Sequence, residues 1–472
     1  MQNKPPLAER FPDDFIFGVA TSSYQIEGAT RTDGRGASIW DAFSNMPGRV
    51  YQSHNGDIAC DHYHRWENDL DLIQALGVDA YRFSIAWPRI LPNGVGAVNE
   101  KGLDFYDRLV DGMLERNLQV FPTLYHWDLP LALAGYGGWT DRNTAEAFAQ
   151  YASIVMQRLG DRFDTITTFN EPWCACHLSH LLGIHAPGEK SMEATVKAIH
   201  TMNLAHGLGV QAIRAERSDI PCGIVINAMA ITAASDNQAD KEAAERRFQF
   251  DNGVFFSPIF DGRYDTEFND ALGSFLPIEP GDLATIQQPL DFWGFNYYTP
   301  MKVTDDTSPS SVFPHTKNVK ATSRKDKTDI GWEIGAHGLS DLLTQVYERY
   351  ELPPVYITEN GACYNTDLGT DGKVHDDTRT AYFEEHIAEC AKVIESGIDL
   401  RGYFAWSLMD NFEWAEGYKM RFGLVHVDFT TQVRTIKDSG YWYSELAQTH
   451  RANADANDHT SSDVASDDDY ET

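Results

Sequence analysis

Short apolar runs rich in β-branched and aromatic residues recur along the chain, and each is followed by a stretch with helical spacing. In the stretch 67–77, for example, Leu70, Ile73 and Leu76 fall near one face of a helix, and Gly77 stands where the helix would end. The strand-like runs are 15–21, 80–87, 118–127, 165–172, 222–228, 292–298, 355–361 and 402–410.

Alternating strands and helices predict a parallel sheet with right-handed crossovers. Eight such units predict a single closed (β/α)8 TIM barrel with long βα loops at its C-terminal face, and we assign residues 1–451 to it. An open doubly wound sheet is the alternative, but the GxGxxG loop that it often carries is missing after the first run. Residues 452–472 are rich in acids and poor in large apolar side chains, which predicts an acidic disordered tail.

Several strand-like runs end in residues that do not suit a dry core. The run VYITENG (355–361) ends on Glu359, and the run TITTFNEP (165–172) ends on Glu171. In a TIM barrel the chemistry lies at the C-terminal ends of the strands, so an apolar strand with a polar end is expected there. Other unusual residues at or near such ends are Gln25, Trp87, His126, Trp127, Asn170, Asn296, Tyr298, Trp406, Glu413 and Trp414.

This mixture of side chains suits the cleavage of a glycosidic bond. One carboxyl group must be protonated to donate to the leaving oxygen, and a second must be ionised to attack or to activate water. Aromatic rings stack on the apolar faces of a sugar, while amides, imidazoles and carboxylates bind its hydroxyl groups. Cys60, His62 and His64 alternate along the chain, but no fourth ligand with zinc-like spacing follows. We therefore predict hydrogen-bonded packing there, with no metal and no cofactor.

Charge and composition limit the classes of partner that the chain is expected to bind. Of the 472 residues, 70 are acidic and 38 are Lys or Arg, giving a net charge of −32, which disfavours nucleic acids as partners. No apolar run reaches the length of a membrane span, the N-terminal segment does not resemble an export signal, and the six cysteines are scattered. These features predict reduced thiols, a cytoplasmic location and no membrane partner. The acidic surface serves either solubility or adaptation to a salty environment.

A series of motifs runs from about residue 11 to about 445: FPDDFIFGVATSSYQIEGA, ACDHYHRW, YRFSIAWPRI, TLYHWDLP, TFNEPW, GIHAPG, GFNYY, ITENG and WSLMDNFEWAEGYKMRFGLVHVD. In these motifs the chain resembles glycoside hydrolase family 1, the β-glucosidases and their relatives. The resemblance implies a retaining, exo-acting β-glucosidase that releases terminal β-D-glucosyl residues from cello-oligosaccharides and from aryl or alkyl β-glucosides, as in cellulose degradation, with β-galactosides and β-fucosides as further substrates.

The resemblance also implies roles for the matching residues. Glu171 would be the general acid/base and Glu359 the nucleophile, while Arg82 and Tyr298 would bind Glu359 and keep it ionised. The substrate contacts implied are Gln25, His126, Trp127, Asn170 at the 2-hydroxyl, Asn296, Tyr298, Trp332 at the aglycone, Trp406 stacking beneath the sugar, Glu413, Trp414 and Phe422.

Three alternatives remain open at the level of the sequence. A 6-phospho-β-glucosidase of the same family would carry small and basic residues in place of Glu413 and Trp414, although Lys419 supplies one cation nearby. A thioglucosidase would lack the acid, which Glu171 provides here. A catalytically inactive sugar-binding protein would not need both carboxylates. Oligomeric state does not follow from the sequence.

Overall fold

The computed structural model describes residues 6–320 and 323–464. Its strands are β1 (Ile16–Ala20), β2 (Ala80–Ser84), β3 (Gln119–Tyr125), β4 (Ile166–Asn170), β5 (Cys222–Ile226), β6 (Ala230–Ala233), β7 (Trp293–Tyr297), β8 (Pro300–Asp305), β9 (Thr316–Asn318), β10 (Val355–Asn360), β11 (Leu400–Trp406), β12 (Val425–Val427) and β13 (Arg434–Ile436). Its α-helices are α1 (Ser23–Ile26), α2 (Ile39–Ser44), α3 (His62–Leu76), α4 (Trp87–Ile90), α5 (Glu100–Glu115), α6 (Leu131–Ala134), α7 (Asn143–Leu159), α8 (Met192–Glu216), α9 (Gln238–Phe248), α10 (Val254–Phe256), α11 (Thr266–Leu272), α12 (Asp282–Ile286), α13 (His337–Arg349), α14 (Asp377–Glu395) and α15 (Asp438–Val464).

Eight parallel strands close into a barrel in the order β1-β11-β10-β7-β5-β4-β3-β2. The barrel closes through β1, which pairs with β2 on one side and with β11 on the other. Seven of the eight strand-like runs predicted from the sequence contain one of these strands in full, and the eighth, 402–410, overlaps β11, which begins two residues earlier. The predicted TIM barrel is therefore confirmed, and the open doubly wound sheet is excluded.

Apolar side chains fill the barrel interior beneath the C-terminal ends of the strands. The rings of Phe121 and Phe404 lie 5.0 Å apart between their centres, and Ala20 and Ala80 pack in the same cluster. Gly18 leaves room for the Phe404 ring, because a Cβ atom at Gly18 would lie 2.5 Å from that ring. The interior is thus a packed core that supports the site from below.

The loops that follow the barrel strands carry additional strands. A three-stranded sheet, β6-β8-β9, is built from the segments after β5 and β7, and β12 pairs with β13 after β11. Helix α15 packs against the closing seam, where Tyr443 Oη donates to the carbonyl of Gly18 at 2.8 Å. This helix continues to Val464 and so covers the first part of the segment 452–472, for which we predicted disorder. Residues 465–472 lie outside the described residues.

All six cysteines are free and buried, as the scattered positions predicted. The three side chains considered as metal ligands turn to different partners: Cys60 Sγ donates to the Asp410 carbonyl, His62 Nδ1 lies 2.9 Å from Asp69, and His64 Nδ1 lies 2.6 Å from Asp61. Within residues 6–320 and 323–464, no helix has both the length and the apolar character needed to span a membrane.

Candidate active site

Glu171 and Glu359 are both brought to the C-terminal end of the barrel. Glu171 directly follows the last residue of β4, and Glu359 lies in β10, where it pairs in register with Asn296 of β7. Their exposed fractions are 5% and 3%. Two carboxyl groups from different strands therefore share one enclosed site, as predicted.

A continuous chain of hydrogen bonds joins the two carboxyl groups. Asn296 Nδ2 donates to Glu171 Oε1 at 2.7 Å and to Asn170 Oδ1 at 3.0 Å. Arg82 donates from Nη2 to Asn170 Oδ1 at 2.7 Å and from Nη1 to Glu359 Oε1 at 2.7 Å. Since four strands supply these five residues, the barrel itself fixes how the two carboxyl groups face each other.

Both oxygens of Glu359 accept a hydrogen bond. Arg82 Nη1 donates to Oε1 at 2.7 Å and Tyr298 Oη donates to Oε2 at 2.6 Å, so both contacts predicted for Glu359 are present. These donors favour the ionised form and orient it, whereas burial opposes them and raises the pKa of Glu359 above its ordinary value.

Glu171 is the carboxyl group that retains its proton to higher pH. Burial, followed by the negative charge of Glu359, raises the pKa of Glu171 to about 8, while hydrogen bonds from Asn296 and Cys174 lower it. Because Glu359 accepts from the cation of Arg82 and from Tyr298, the negative charge of the pair is favoured on Glu359 and the proton on Glu171. That division of roles is the one required for acid-assisted nucleophilic attack at a glycosidic carbon.

Gln25 is held rigidly beside Glu413. Ser22 Oγ donates to Gln25 Oε1 at 2.6 Å, and Gln25 Nε2 donates to Asn411 Oδ1 at 2.9 Å and lies 3.4 Å from Glu413 Oε2. Burial and the nearby charges of Glu359 and Glu171 raise the pKa of Glu413 to about 8. Gln25 and Glu413 thus present polar groups to the same part of the cleft.

His126 adds a hydrogen-bond donor to the site. Its Nε2 atom lies 3.2 Å from Asn170 Nδ2, and burial lowers the pKa of His126 well below its ordinary value, so the ring is neutral. Because the amide of Asn170 donates to Nε2, the proton is on Nδ1. This buried Nδ1 has no partner among the described residues and is available to a ligand hydroxyl group.

Aromatic rings surround these polar groups. The ring of His126 lies nearly parallel to those of Trp406 and Trp414, with centres 5.8 and 5.9 Å apart. Trp127 packs 4.6 Å from Trp414 and donates from Nε1 to the Asn170 carbonyl at 2.9 Å. The predicted tryptophans at this end of the barrel therefore form one connected wall.

Trp332 and Phe422 meet on the side of Tyr298. Trp332 lies 5.3 Å from Tyr298 and 5.8 Å from Phe422 between ring centres. Trp332 is partly exposed, whereas Phe422 is buried, which places Trp332 nearer the entrance. Trp87, by contrast, stacks on Tyr151 of α7 and is not among these rings.

Sequence reasoning missed three residues that hold the site together. Asn411 fixes Gln25, Thr358 donates to Asn296 Oδ1 at 2.7 Å, and Cys174 Sγ lies 3.0 Å from Glu171 Oε2. The available signal was position, because Thr358 precedes Glu359 and Cys174 lies three residues after Glu171.

Comparison with known proteins agrees with this geometry. Residues 7–452 match the model of glycosyl hydrolase family 1. The chain belongs to this family.

The similar proteins include named glycosidases. The chain is 61% identical over 448 residues to a beta-glucosidase of Agrobacterium sp. (strain ATCC 21400), covering 95% of this chain and 97% of that protein. It is 43% identical over 462 residues to a bifunctional beta-D-glucosidase/beta-D-fucosidase of Bifidobacterium breve, covering 94% and 99%. Among solved structures, the virulence factor SghA of Agrobacterium tumefaciens, whose complex contains the substrate analog salicin, is 62% identical with a TM-score of 0.92, covering 93% of this chain and 97% of that one.

Proposed function

We propose that this chain is a retaining, exo-acting β-glucosidase that releases terminal β-D-glucosyl residues from cello-oligosaccharides and from aryl or alkyl β-glucosides. The observation that carries the proposal is the pair of carboxyl groups in different surroundings: Glu171 has its pKa raised to about 8, and Glu359 accepts from Arg82 and Tyr298. Family membership and two relatives named as β-glucosidases support it.

In the first step Glu359 attacks the anomeric carbon, and Glu171 gives its proton to the departing glycosidic oxygen. The glycosidic bond breaks as the ester bond to Glu359 forms, and the aglycone leaves as an alcohol. Arg82 and Tyr298 keep the attacking carboxylate ionised and oriented towards the sugar.

In the second step water replaces the aglycone. Because Glu359 has lost its negative charge in the ester, one cause of the raised pKa of Glu171 is gone and that pKa falls. Glu171, now ionised, takes a proton from water as the water attacks the anomeric carbon. The ester bond breaks, glucose leaves with retained configuration, and both carboxyl groups return to their starting states.

The remaining residues would bind the sugar. Gln25, Glu413 and the Nδ1 atom of His126 offer hydrogen bonds to its hydroxyl groups, and Asn170 lies between the two carboxyl groups, where the 2-hydroxyl would be. The other proposed contacts are Trp127, Asn296, Tyr298, Trp332 at the aglycone, Trp406 beneath the sugar, Trp414 and Phe422.

β-Galactosides and β-fucosides are proposed as further substrates. The bifunctional name of the Bifidobacterium breve relative supports β-fucosides, and the salicin complex of SghA supports aryl glucosides. A 6-phosphate is disfavoured as a substrate feature, because Glu413, beside Gln25, places a carboxyl group where a phosphate would need a cation. Lys419 is instead exposed, with its ammonium group over the ring of Tyr51.

The remaining proposals concern partners and location. Small β-glycosides are the proposed partners, with neither nucleic acid nor membrane, in line with the net charge of −32. Six free, buried thiols support a reducing compartment, and we propose the cytoplasm.

The decisive assay compares release of nitrophenol from the aryl β-D-glucoside and from its 6-phosphate, with Glu359→Ala as the control. Strong turnover of the plain glucoside that is lost in the variant supports the proposal. Preference for the phosphate supports the 6-phospho-β-glucosidase alternative. Turnover of neither, while the sugar still binds, supports the inactive sugar-binding alternative.

A further inference from the structure

Cys174 contacts the acid/base residue directly. Its Sγ atom lies 3.0 Å from Glu171 Oε2, and its backbone N–H donates to the Glu171 carbonyl at 3.0 Å. The side chain is 6% exposed and opens the π-helical segment Cys174–Leu181 that follows β4. The thiol is therefore held against the carboxyl group by the local backbone.

The two oxygens of Glu171 have different neighbours, and the network fixes which is which. Arg82 can only donate, so the atom of Asn170 that faces it is the carbonyl oxygen. That oxygen also faces Asn296, which must therefore present its NH2 group to both Asn170 and Glu171 Oε1. Glu171 Oε1 thus always faces a donor, and the acid proton belongs on Oε2, the oxygen beside the sulfur of Cys174.

A thiol suits this position because sulfur can either donate or accept a hydrogen bond. When Glu171 is ionised, S–H donates to Oε2. When Glu171 is protonated, the sulfur can instead accept from its hydroxyl group, just as it accepts from Asn227 Nδ2 at 3.6 Å. Burial raises the pKa of Cys174 well above its ordinary value, so the thiol stays protonated through the working range.

We propose that Cys174 is a positioning residue that makes Oε2 the proton-carrying oxygen of Glu171 and stabilises the ionised Glu171 of the second step. This rests on the proposed β-glucosidase function. A thiol is a weak donor, so it supports the anion without removing the proton that Glu171 needs in the first step. A hydroxyl group at the same place would donate more strongly and would favour the ionised form of Glu171 over the protonated form.

The test uses Cys174→Ser and Cys174→Ala, with Cys176→Ala as the matched control. Cys176 is also buried, but its sulfur lies 3.5 Å from Met202 Sδ rather than against Glu171. The alkaline limb of kcat/KM with an aryl β-glucoside should move down by about 0.5 to 1 pH unit in Cys174→Ser, because one hydrogen bond of this kind is worth about that much. In Cys174→Ala the alkaline limb should move to higher pH, because the donor to Glu171 is lost, and in Cys176→Ala it should not move.

A second readout isolates the second step. With dinitrophenyl β-D-glucoside the leaving group needs no acid, so hydrolysis of the ester limits kcat. That kcat should fall several-fold in Cys174→Ala and much less in Cys174→Ser.

The proposal is overturned if the alkaline limb of kcat/KM lies at the same pH in the wild type and both Cys174 variants, and if turnover of the dinitrophenyl glucoside is unchanged. Cys174 would then be a packing residue. A melting curve for each variant separates folding from catalysis, and Cys174→Ala alone suffices if the serine variant does not fold. Failure of the proposed function looks different, because the wild type would then turn over neither glucoside.

Discussion

Asn296 Nδ2 lies 2.7 Å from Glu171 Oε1 and donates a hydrogen bond to it. The same amide reaches Asn170 at 3.0 Å, and its carbonyl oxygen accepts from Thr358 at 2.7 Å, so every polar atom of this side chain is used within the site. Asn296 therefore links Glu171, which follows β4, to β10, the strand that carries Glu359.

Replacing Asn296 with Ala should raise the pKa of Glu171, because a donor that favours the ionised form is lost. We expect the alkaline limb of kcat/KM to move up, and kcat/KM at its optimum to fall roughly 10- to 100-fold, the loss expected for one or two buried hydrogen bonds. Thr299→Ala is a nearby control that leaves the network intact. A limb that moves down would contradict the assigned direction of the Asn296 contact.

Glu359→Ala should abolish turnover, with kcat lower by about 10³-fold or more, because no ester can form. Added azide or formate should restore part of the rate by entering the vacated space and attacking the anomeric carbon. The assay is nitrophenol release with and without the anion, and Glu348→Ala, an exposed residue of α13, is the control. A variant that keeps near-normal rate without added anion would show that the nucleophile is elsewhere.

The proposed roles of Glu171 and Glu359 predict how activity depends on pH. Activity requires a protonated Glu171, whose pKa is raised to about 8, so kcat/KM should fall as the pH rises past that value. It also requires an ionised Glu359, whose pKa is raised by burial, so the acid limb should lie above the ordinary range of a glutamate. Measuring kcat/KM from pH 4 to 10 tests both limbs. Constant activity from pH 8 to 10 would be inconsistent with Glu171 as the acid.

Glu413→Gln should stabilise the fold while damaging the enzyme. Burial raises the pKa of Glu413 to about 8, so its stabilising contribution is complete below the unfolded pKa, near 4.3, and is lost as the pH rises through 8. The variant should therefore melt about 1 to 3 °C higher than the wild type at pH 8, with a smaller gain at pH 5. Turnover of the glucoside should drop at both values. An equal gain at both pH values would mean that ionisation of Glu413 is not the cause.

The acidic surface makes a prediction about salt. With 70 acidic residues against 38 Lys and Arg, screening of self-repulsion should raise the melting temperature from low to molar salt. Sodium chloride and choline chloride at equal ionic strength should act alike, because screening depends on ionic strength. Adaptation to a salty environment further requires that activity rise as well. Activity and melting temperature that are flat or falling would leave solubility as the role of the charge.

The barrel strands and the polar residues at their ends could be predicted from the sequence, because each depends on a short stretch of the chain. Alternation of short apolar runs with helical spacing predicted all eight strands, and an apolar run ending on Glu171 or Glu359 marked the face that carries the chemistry. A feature that depends only on one strand and the few residues after it can be predicted from the order of residues along the chain. Asn170 and Asn296 were named in this way, from the ends of β4 and β7.

The contacts that orient these residues were not accessible in the same way. Gln25 is fixed by Asn411, which is 386 positions away along the chain, and only closure of the barrel brings the two together. Cys174 meets Glu171 because of the backbone turn between them, which its spacing alone did not predict. Trp87 looked like a site residue from its place after β2, but it packs on Tyr151 instead.

The closing seam between β1 and β11 has a consequence for the order in which this enzyme becomes active during its synthesis. Ile16 pairs with Gly402, and Tyr443 of α15 donates to the Gly18 carbonyl, so the first strand has no partner on one side until the end of the chain is made. Gln25 likewise lacks Asn411 and Glu413 until then. A ribosome-bound chain that already contains Glu171 and Glu359 therefore still has an open barrel, and we expect glucoside hydrolysis to begin only when β11 and α15 have been released.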